Sequence, residues 1–462
     1  MYGWHGKILR VNLTEQTTTI EPLDPQTAKD FIGGRGWAIK YLYDEVDPQV
    51  DPLAPENKLI FATGPLTGSP APTGNRYMVV TKSPLTGALS NSNSGGDFPT
   101  WLKRTGFDLI IFEGRAEKPV YLWINDQEAE IRSAEHIWGQ DVPTTTDILL
   151  AETDAKAKVA CIGPAGENLV KMACIMNDKH RAAGRSGVGA VMGSKNLKGV
   201  VAQGTHTTQL ADEEGMNKLS REMQIDVGTA SKKSTLRIYG TPYVPDVTNE
   251  MGILPTRNFQ QGQFEGVDKI NGPSLNAQFL IRPKPCYKCP ISCGRVTRVD
   301  EPGYEGEGEG PEYETIVSIG SACGLDNLAA ITKANYICNE LGMDTISVGM
   351  TIACAMEMVE KEIIPPHDVG QPLRFGDGDA VIAFTRKTAY REGFGDTLAE
   401  GSYRLADKYG HPEFSMTAKK LEFPGYDPRG AKGMGLLYAT SNVGASHMAG
   451  DLAYAEVFGV PA

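Results

Sequence analysis

Three cysteines stand close together at Cys286, Cys289 and Cys293, in the run Pro285-Cys286-Tyr287-Lys288-Cys289-Pro290-Ile291-Ser292-Cys293-Gly294. Three thiolates on one short loop can hold three corners of a metal cluster, with the fourth ligand supplied from elsewhere. A zinc knuckle needs four N or S ligands, usually as two pairs, and no second Cys or His pair lies nearby. The spacing C-x2-C-x3-C therefore points to a [4Fe–4S] cluster and to electron transfer. Cys323, Cys338 and Cys354 sit in apolar, helix-like surroundings and read as core.

Other segments could bind an anion. Gly184-Arg185-Ser186-Gly187-Val188-Gly189-Ala190-Val191-Met192-Gly193-Ser194-Lys195 is glycine-rich and is flanked by Arg181 and Lys198. It misses both the dinucleotide fingerprint and the P-loop spacing. Backbone N–H groups in such a run can approach a phosphate, and arginines can grip it bidentately. A tight turn with solvated arginines is the alternative. Thr73-Gly74-Asn75-Arg76 and Ser92-Asn93-Ser94-Gly95-Gly96 are each turn-like alone, and with the arginine run they suggest a multipoint site for an anionic cofactor. Glu314 and His447 could each accept a proton if desolvated.

The elements that must carry these groups follow from pattern. Residues 1 to about 208 read as β-rich, with strands at Lys7 to Leu13, Lys58 to Thr63, Arg76 to Lys82, Asp108 to Glu113 and Pro119 to Ile124. Asp24 and Pro25 open a helix. The polar stretch Thr207 to Glu214 reads as a linker, and after it the pattern turns helical. Val299 to Glu314 is acidic and glycine-rich and reads as a loop. Leu325 to Glu340 and Asp344 to Glu362 read as two helices, with Gly342 as a left-handed cap and Asp344 as the next N-cap. Asp396 caps a helix to about Tyr409. The expected organisation is an α+β chain: a β-rich domain over 1–208, a helical domain with the cysteine loop over 209–417, and the start of a third, mostly helical domain over 418–462.

Composition sets outer limits. The chain has 462 residues, 40% of them hydrophobic, so it can bury a large core. A formal charge of −12 argues against general nucleic-acid binding. No signal peptide and no apolar run of about 20 residues are seen. Eight cysteines without a disulfide pattern fit a reducing compartment. The expectation is a cytoplasmic protein without a membrane span.

Several segments resemble one family. They are Gly64-Pro65-Leu66-Thr67-Gly68, Ala71-Pro72-Thr73-Gly74-Asn75-Arg76, Asn93-Ser94-Gly95-Gly96, Ile162-Gly163-Pro164-Ala165-Gly166-Glu167-Asn168, Asn177-Asp178-Lys179-His180-Arg181-Ala182-Ala183-Gly184-Arg185, Gly310-Pro311-Glu312-Tyr313-Glu314 and Tyr426-Asp427-Pro428-Arg429-Gly430-Ala431. Together with the cysteine triplet they are similar to the tungsten-dependent aldehyde:ferredoxin oxidoreductases, across essentially the whole chain. The resemblance implies a β-rich base under two pterins, with mostly helical domains beyond. It implies oxidation of aldehydes to carboxylic acids at a tungsten (or molybdenum) bis-pterin centre. Electrons would leave through a [4Fe–4S] cluster on Cys286, Cys289 and Cys293 to ferredoxin or an iron–sulfur partner subunit. Arg76, Asn93, Gly95, Arg181, Ala183 and Arg185 would hold pterin phosphates, with Asn93 and Ala183 at a bridging Mg2+. Asn339, Gly342 and Asp344 would bind one pterin. Glu314 and His447 would line the substrate pocket, where a carboxylate or imidazole can take a proton and a protonated imidazole can polarise a carbonyl.

Three departures qualify the resemblance. Asn339 stands where the family pattern usually has Asp. Lys333-Ala334-Asn335-Tyr336 stands where some members carry Glu-x-x-His for an inter-subunit iron; Lys and Tyr are poor ligands for it, so that iron and that dimer are not expected, and oligomeric state is left open. The family pattern also continues past Ala462, and the expectation is that this part carries the second pterin corner and the fourth cluster cysteine. Two alternatives stand beside the main reading: the ring-reducing subunit of a class II benzoyl-CoA reductase type complex, and a shortened non-catalytic electron-transfer subunit.

Overall fold

Two six-stranded sheets dominate the first 208 residues of the computed structural model, which describes residues 1–450 and 452–459. The first holds β1 (Lys7–Asn12), β2 (Thr17–Pro22), β3 (Leu59–Thr63), β4 (Tyr77–Lys82), β5 (Leu89–Ser94) and β6 (Leu109–Glu113), in the order β2-β1-β6-β3-β4-β5. The second holds β7 (Val120–Asn125), β8 (Glu128–Ser133), β9 (Lys158–Cys161), β10 (Ile175–Asn177), β11 (Arg181–Ala183) and β12 (Leu197–Gln203), in the order β11-β10-β9-β12-β7-β8. Only β1 with β6 and β7 with β12 run parallel; Leu9 faces Ile110 in one pair and Val201 faces Trp123 in the other.

The two-residue period of a strand assigns each side chain to a layer. Leu9, Val11, Phe61, Val79 and Phe112 of the first sheet share a core with Leu122, Ile124, Ala160 and Val200 of the second. Their alternates Ile8, Ile60, Val80 and Ile111 pack on Trp37 and Leu42 of the helix Arg35–Glu45. Tyr121, Val159 and Val201 pack on Val142 and Leu149 of the helix Val142–Glu152. Sheets covered on both faces in this way read as near-continuous apolar runs. The edge strands β5 and β11 come together at one side of this stack.

Beyond a stretch without regular structure at 204–210, the chain is mostly helical. The helices Leu328–Leu341 and Thr345–Glu360 form its centre. Gly342 ends the first with φ 77°, and Asp344 caps the second through Ile346 N–H and Ser347 N–H. The corner expected from Asn339 to Asp344 is therefore present. Asp24 likewise caps the helix Pro25–Phe31 through Thr27 N–H. Leu421, Met434, Tyr438 and Ala453 join the same core as these central helices. Among the described residues no helix is long and apolar enough to cross a membrane.

Two expectations need correction. The acidic run is not all loop: Gly306–Glu309 is a strand, β15, in a third sheet with β13 (Leu280–Lys284) and β14 (Gly294–Val299). Its glycines let the backbone lie on the Tyr336 ring, which a Cβ on Gly306 or Gly308 would meet at 2.8 and 2.9 Å. Asp396 does not cap a helix running to Tyr409. It lies in the first turn of the short helix Phe394–Leu398, and a separate helix, Ser402–Lys408, follows Gly401 at φ 87°.

Candidate active site

A cavity of about 590 Å3 opens where β5, β11, the Asn339–Asp344 corner and the cysteine loop converge. Arg76, Asn93, Gly95, Arg181, Arg185, Asn339, Asp344, Cys286, Glu314 and His447 all line it. Residues separated by up to 371 positions in sequence are thus brought to one space. Ala183 and Gly342 stand one residue behind the lining, which Ala182, Gly184 and Met343 provide.

The strand β5 reads Leu-Ser-Asn-Ser-Asn-Ser, with its alternate residues Ser90, Ser92 and Ser94 buried, so Asn91 and Asn93 are left to face the cavity. An edge strand also presents unpaired backbone groups, here at the floor of a polar site. Asn93 Oδ1 accepts from Arg76 Nε at 2.8 Å. Burial works against the charge of Arg76 and lowers its pKa, while Cys286 opposes that fall. For Arg181, burial is outweighed by Glu309, with Cys286 adding, and the pKa rises. Both guanidinium groups stay charged, and Arg181 Nη2 pairs with Glu309 Oε2 at 3.1 Å.

Glu309 is 6% exposed and holds Arg181 at 3.1 Å on one side and Lys284 on the other. Sequence reasoning missed it because it sat in a segment read as solvated loop. The signal was available: Gly306, Gly308 and Gly310 recur with the period of a strand, against Glu305, Glu307 and Glu309 on its other face. Also missed was an aromatic wall, Tyr243, Tyr426, Tyr454 and Phe458, along the cavity.

Arg185 has a different part. Its Nε donates to Asp344 at 3.2 Å, Nη1 to Ala445 O at 2.6 Å and Nη2 to Glu422 O at 2.8 Å. It lines the cavity but is largely committed to bracing. Lys195 and Lys198 are not phosphate ligands. Each is fully buried; Lys195 Nζ bonds the carbonyls of Pro55, Asn57 and Gly114, and Lys198 pairs with Glu167. Most of the glycine run is the buried helix Val188–Ser194, where Gly189 and Gly193 permit backbone contact. Of its cations, only the two arginines reach the cavity.

Glu314 and His447 face each other, Oε1 to Nδ1 at 3.9 Å, and neither of these atoms has a hydrogen-bond partner. Glu314 Oε2 accepts Gly425 N–H at 2.7 Å, which fixes the carboxyl plane. Burial pushes its pKa up to about 7, against the Gly425 hydrogen bond and the charge of Arg185. Burial, then Arg185, lowers His447 to about 3. The imidazole is therefore neutral near pH 7. A neutral imidazole polarises a carbonyl as an N–H donor.

The cysteine loop is pinned on both flanks. Tyr287 N–H donates to Gly96 O at 3.2 Å, Cys289 N–H to Cys286 O at 3.0 Å, and buried Arg295 donates to Cys293 O and Ser292 O. Cys286 approaches β5 so closely that a Cβ on Gly95 would meet its Sγ at 3.1 Å. Burial, then Glu312, raises the Cys293 thiol to about 11, with Arg181 opposing. Cys323, Cys338 and Cys354 are core residues, as expected. Among the described residues no three His, Cys, Asp or Glu side chains converge on a single ion. A cluster is gripped differently, by one thiolate per iron corner.

A cationic cavity beside a three-cysteine loop, with a carboxyl and an imidazole facing each other on its lining, has the residue types to hold an anionic group next to soft metal ligands. The comparisons agree. The N-terminal domain model of aldehyde ferredoxin oxidoreductase matches residues 8–204, and the model of domains 2 and 3 matches residues 218–462. The tungsten-containing aldehyde ferredoxin oxidoreductase of Pyrococcus furiosus is 51% identical over all of this chain and 76% of its own length; that of Thermococcus kodakarensis is 49% identical over the same shares. Among solved structures, the active site complex BamBC of benzoyl coenzyme A reductase, with 1,5-dienoyl-CoA, superposes with a TM-score of 0.84 at 29% identity, covering 97% of this chain and 70% of that one. The chain belongs to the aldehyde ferredoxin oxidoreductase family, and it is an oxidoreductase.

Proposed function

We propose that this protein oxidises aldehydes to carboxylic acids at a tungsten bis-pterin centre held in the cavity, with a [4Fe–4S] cluster on Cys286, Cys289 and Cys293 and a Mg2+ between pterin phosphates near Asn93 and Ala183. The observation that carries this reading is the facing pair Glu314 and His447, whose Oε1 and Nδ1 atoms are buried without a hydrogen-bond partner, in a cavity also lined by Arg76, Arg181 and Cys286. The residues fit such a cofactor. Glu314 Oε1 and His447 Nδ1 are orphaned buried polar atoms in the one space, and an unpaired buried polar atom in a native protein calls for an explanation, of which a bound group is one. Family membership at about half identity favours aldehyde oxidation over ring reduction.

When bound, the metal and its pterins supply the two-electron redox couple. The chain supplies the rest. Arg76 and Arg181 offer charge and fork geometry for phosphate. The edges of β5 and β11 and the Asn339–Asp344 corner offer backbone and amide groups to the rings. His447 donates to, or accepts from, the substrate oxygen as a neutral imidazole. Glu314 takes a proton, with its pKa near the operating pH. The overall change is RCHO + H2O + 2 oxidised carriers → RCOO− + 3 H+ + 2 reduced carriers, each carrier accepting one electron.

The test combines elemental analysis of the native protein with aldehyde-dependent viologen reduction. Tungsten, iron and acid-labile sulfide together with aldehyde oxidation are expected. A protein holding these groups that reduces aryl-CoA and leaves aldehydes untouched would overturn the reading.

A further inference from the structure

The cysteine loop has a second face. Cys286 lines the main cavity, whereas Cys289 lines a separate groove of about 470 Å3. Lys288 and Pro290 form one wall of this groove, and Asn217, Ser220, Arg221 and Gln224 of the helix Glu213–Ser231 form the other. The same loop therefore borders the catalytic space on one side and the outer surface on the other.

The charge around this groove runs against that of the whole molecule. From Leu280 to Val299 there are five cations, Arg282, Lys284, Lys288, Arg295 and Arg298, and no carboxylate, in a chain of net charge −12. Lys284 and Arg298 are neutralised by Glu309 and Asp300, and Arg295 is buried. Arg282 and Lys288 remain exposed, as do Arg221 across the groove and Lys232 and Lys233 just past the end of its helix; none of the five forms an ion pair among the described residues. The helix does carry Glu213, Glu214, Glu222 and Asp226, but its groove-facing stripe, at 217, 220, 221 and 224, has Arg221 as its only charge. Leu219, Met223 and Ile225 are 53%, 44% and 66% exposed on the same helix. Apolar spots within a polar, charged rim suit a small, short-lived contact.

We propose that this groove is the docking site for an acidic, ferredoxin-type one-electron carrier, which receives its electron at the Cys289 side of the loop. The inference rests on the proposed function, which places a reducible cluster there. One electron passes from the reduced cluster to one oxidised carrier per encounter, so two encounters discharge each aldehyde oxidised. Opposite charge at the groove steers the carrier to the exposed side of the cluster, an effect that raises association rates and fades with salt.

The experiment uses the holoprotein and a small acidic ferredoxin. Binding of oxidised ferredoxin is measured directly, and ferredoxin-linked and viologen-linked aldehyde oxidation are measured in parallel. Raising salt from about 20 to about 300 mM, where screening shortens to within a protein contact, is expected to weaken binding at least tenfold. Arg221→Glu is expected to weaken it by about tenfold, in line with a reversed rim charge, with viologen-linked activity unchanged. Lys288→Glu, checked for full iron content, is expected to do the same. Salt-insensitive binding, undiminished binding by Arg221→Glu, or equal binding of a basic carrier would each overturn the docking site. Absence of aldehyde-dependent viologen reduction would instead defeat the proposed function, and the binding measurement would still decide the groove.

Discussion

At the scale of the residue, Glu314 carries the sharpest expectation. Its carboxyl is desolvated and its Oε1 has no donor, so it ionises near pH 7 rather than at the ordinary 4.5. A base must be ionised to act, so kcat/KM should rise with pH through about 7 and level off above it. Glu314→Gln keeps the shape and the Gly425 hydrogen bond but cannot take a proton. It should lower kcat/KM by about 10²–10⁴-fold and abolish the rising limb, with metal content unchanged. An unaltered pH profile in the variant would remove Glu314 from the role. Stability follows the same shift. The folded carboxyl binds a proton that the unfolded one releases, so the cofactor-free protein gains stability below pH 4.5 and loses it as pH rises through about 7. His447 has the opposite sign: its lowered pKa costs stability as pH falls from 6.5 toward 3.

At the scale of the element, the corner between the helices Leu328–Leu341 and Thr345–Glu360 is the most exacting piece. Gly342 sits at φ 77°, and a Cβ there would stand 3.0 Å from Gly163 N. Gly342→Ala should cost about 1 kcal/mol for the left-handed backbone alone and more for the contact, lowering Tm by several degrees in calorimetry. It should also lower pterin content, because the corner would move. A variant with wild-type Tm and full pterin would show that the corner tolerates a side chain. This corner was legible in the sequence because Gly342 and Asp344 carry local, one-residue signals for a cap. Four strands of the first sheet, β1, β3, β4 and β6, were legible for a similar reason, their apolar runs being bounded by turn residues, whereas the polar β2 and β5 were not, and the end of β5 read as a turn. Long-range facts were not. That Glu309 lies on a strand over Tyr336, or that Lys195 is swallowed by three carbonyls, depends on partners 27 to 140 positions away. The family resemblance gathered Glu314, His447 and the arginines into one site, but it could not show that Arg185 braces more than it binds.

At the scale of the whole molecule, Arg185 ties together the parts of the chain that meet around the cavity. Its backbone N–H donates to Ser92 of β5. Its guanidinium reaches Asp344 at the start of the helix Thr345–Glu360 and the carbonyls of Glu422 and Ala445, about 240 to 260 positions downstream. One side chain thus joins the β-rich base, the central helices and the segment that carries His447, two residues past Ala445. Val170, Met172 and Ala173 of the base also pack in the core of the central helices, so the Arg185 hub acts chiefly on alignment at the cavity, where side chains do not fill the space. Removing the guanidinium takes the ion-pair partner from Asp344, which keeps its helix-cap bonds, and leaves the Glu422 and Ala445 carbonyls without this donor, a loss of roughly 2–3 kcal/mol. Arg185→Ala should therefore lower Tm by several degrees in calorimetry. Arg185→Lys keeps the charge but reaches the three acceptors with a single flexible ammonium instead of a rigid fork, so it should recover only a minor part of the stability. It should also misalign His447 with Glu314, lowering kcat/KM even in fully metallated protein. A wild-type Tm in Arg185→Ala would show that packing alone holds these parts in register.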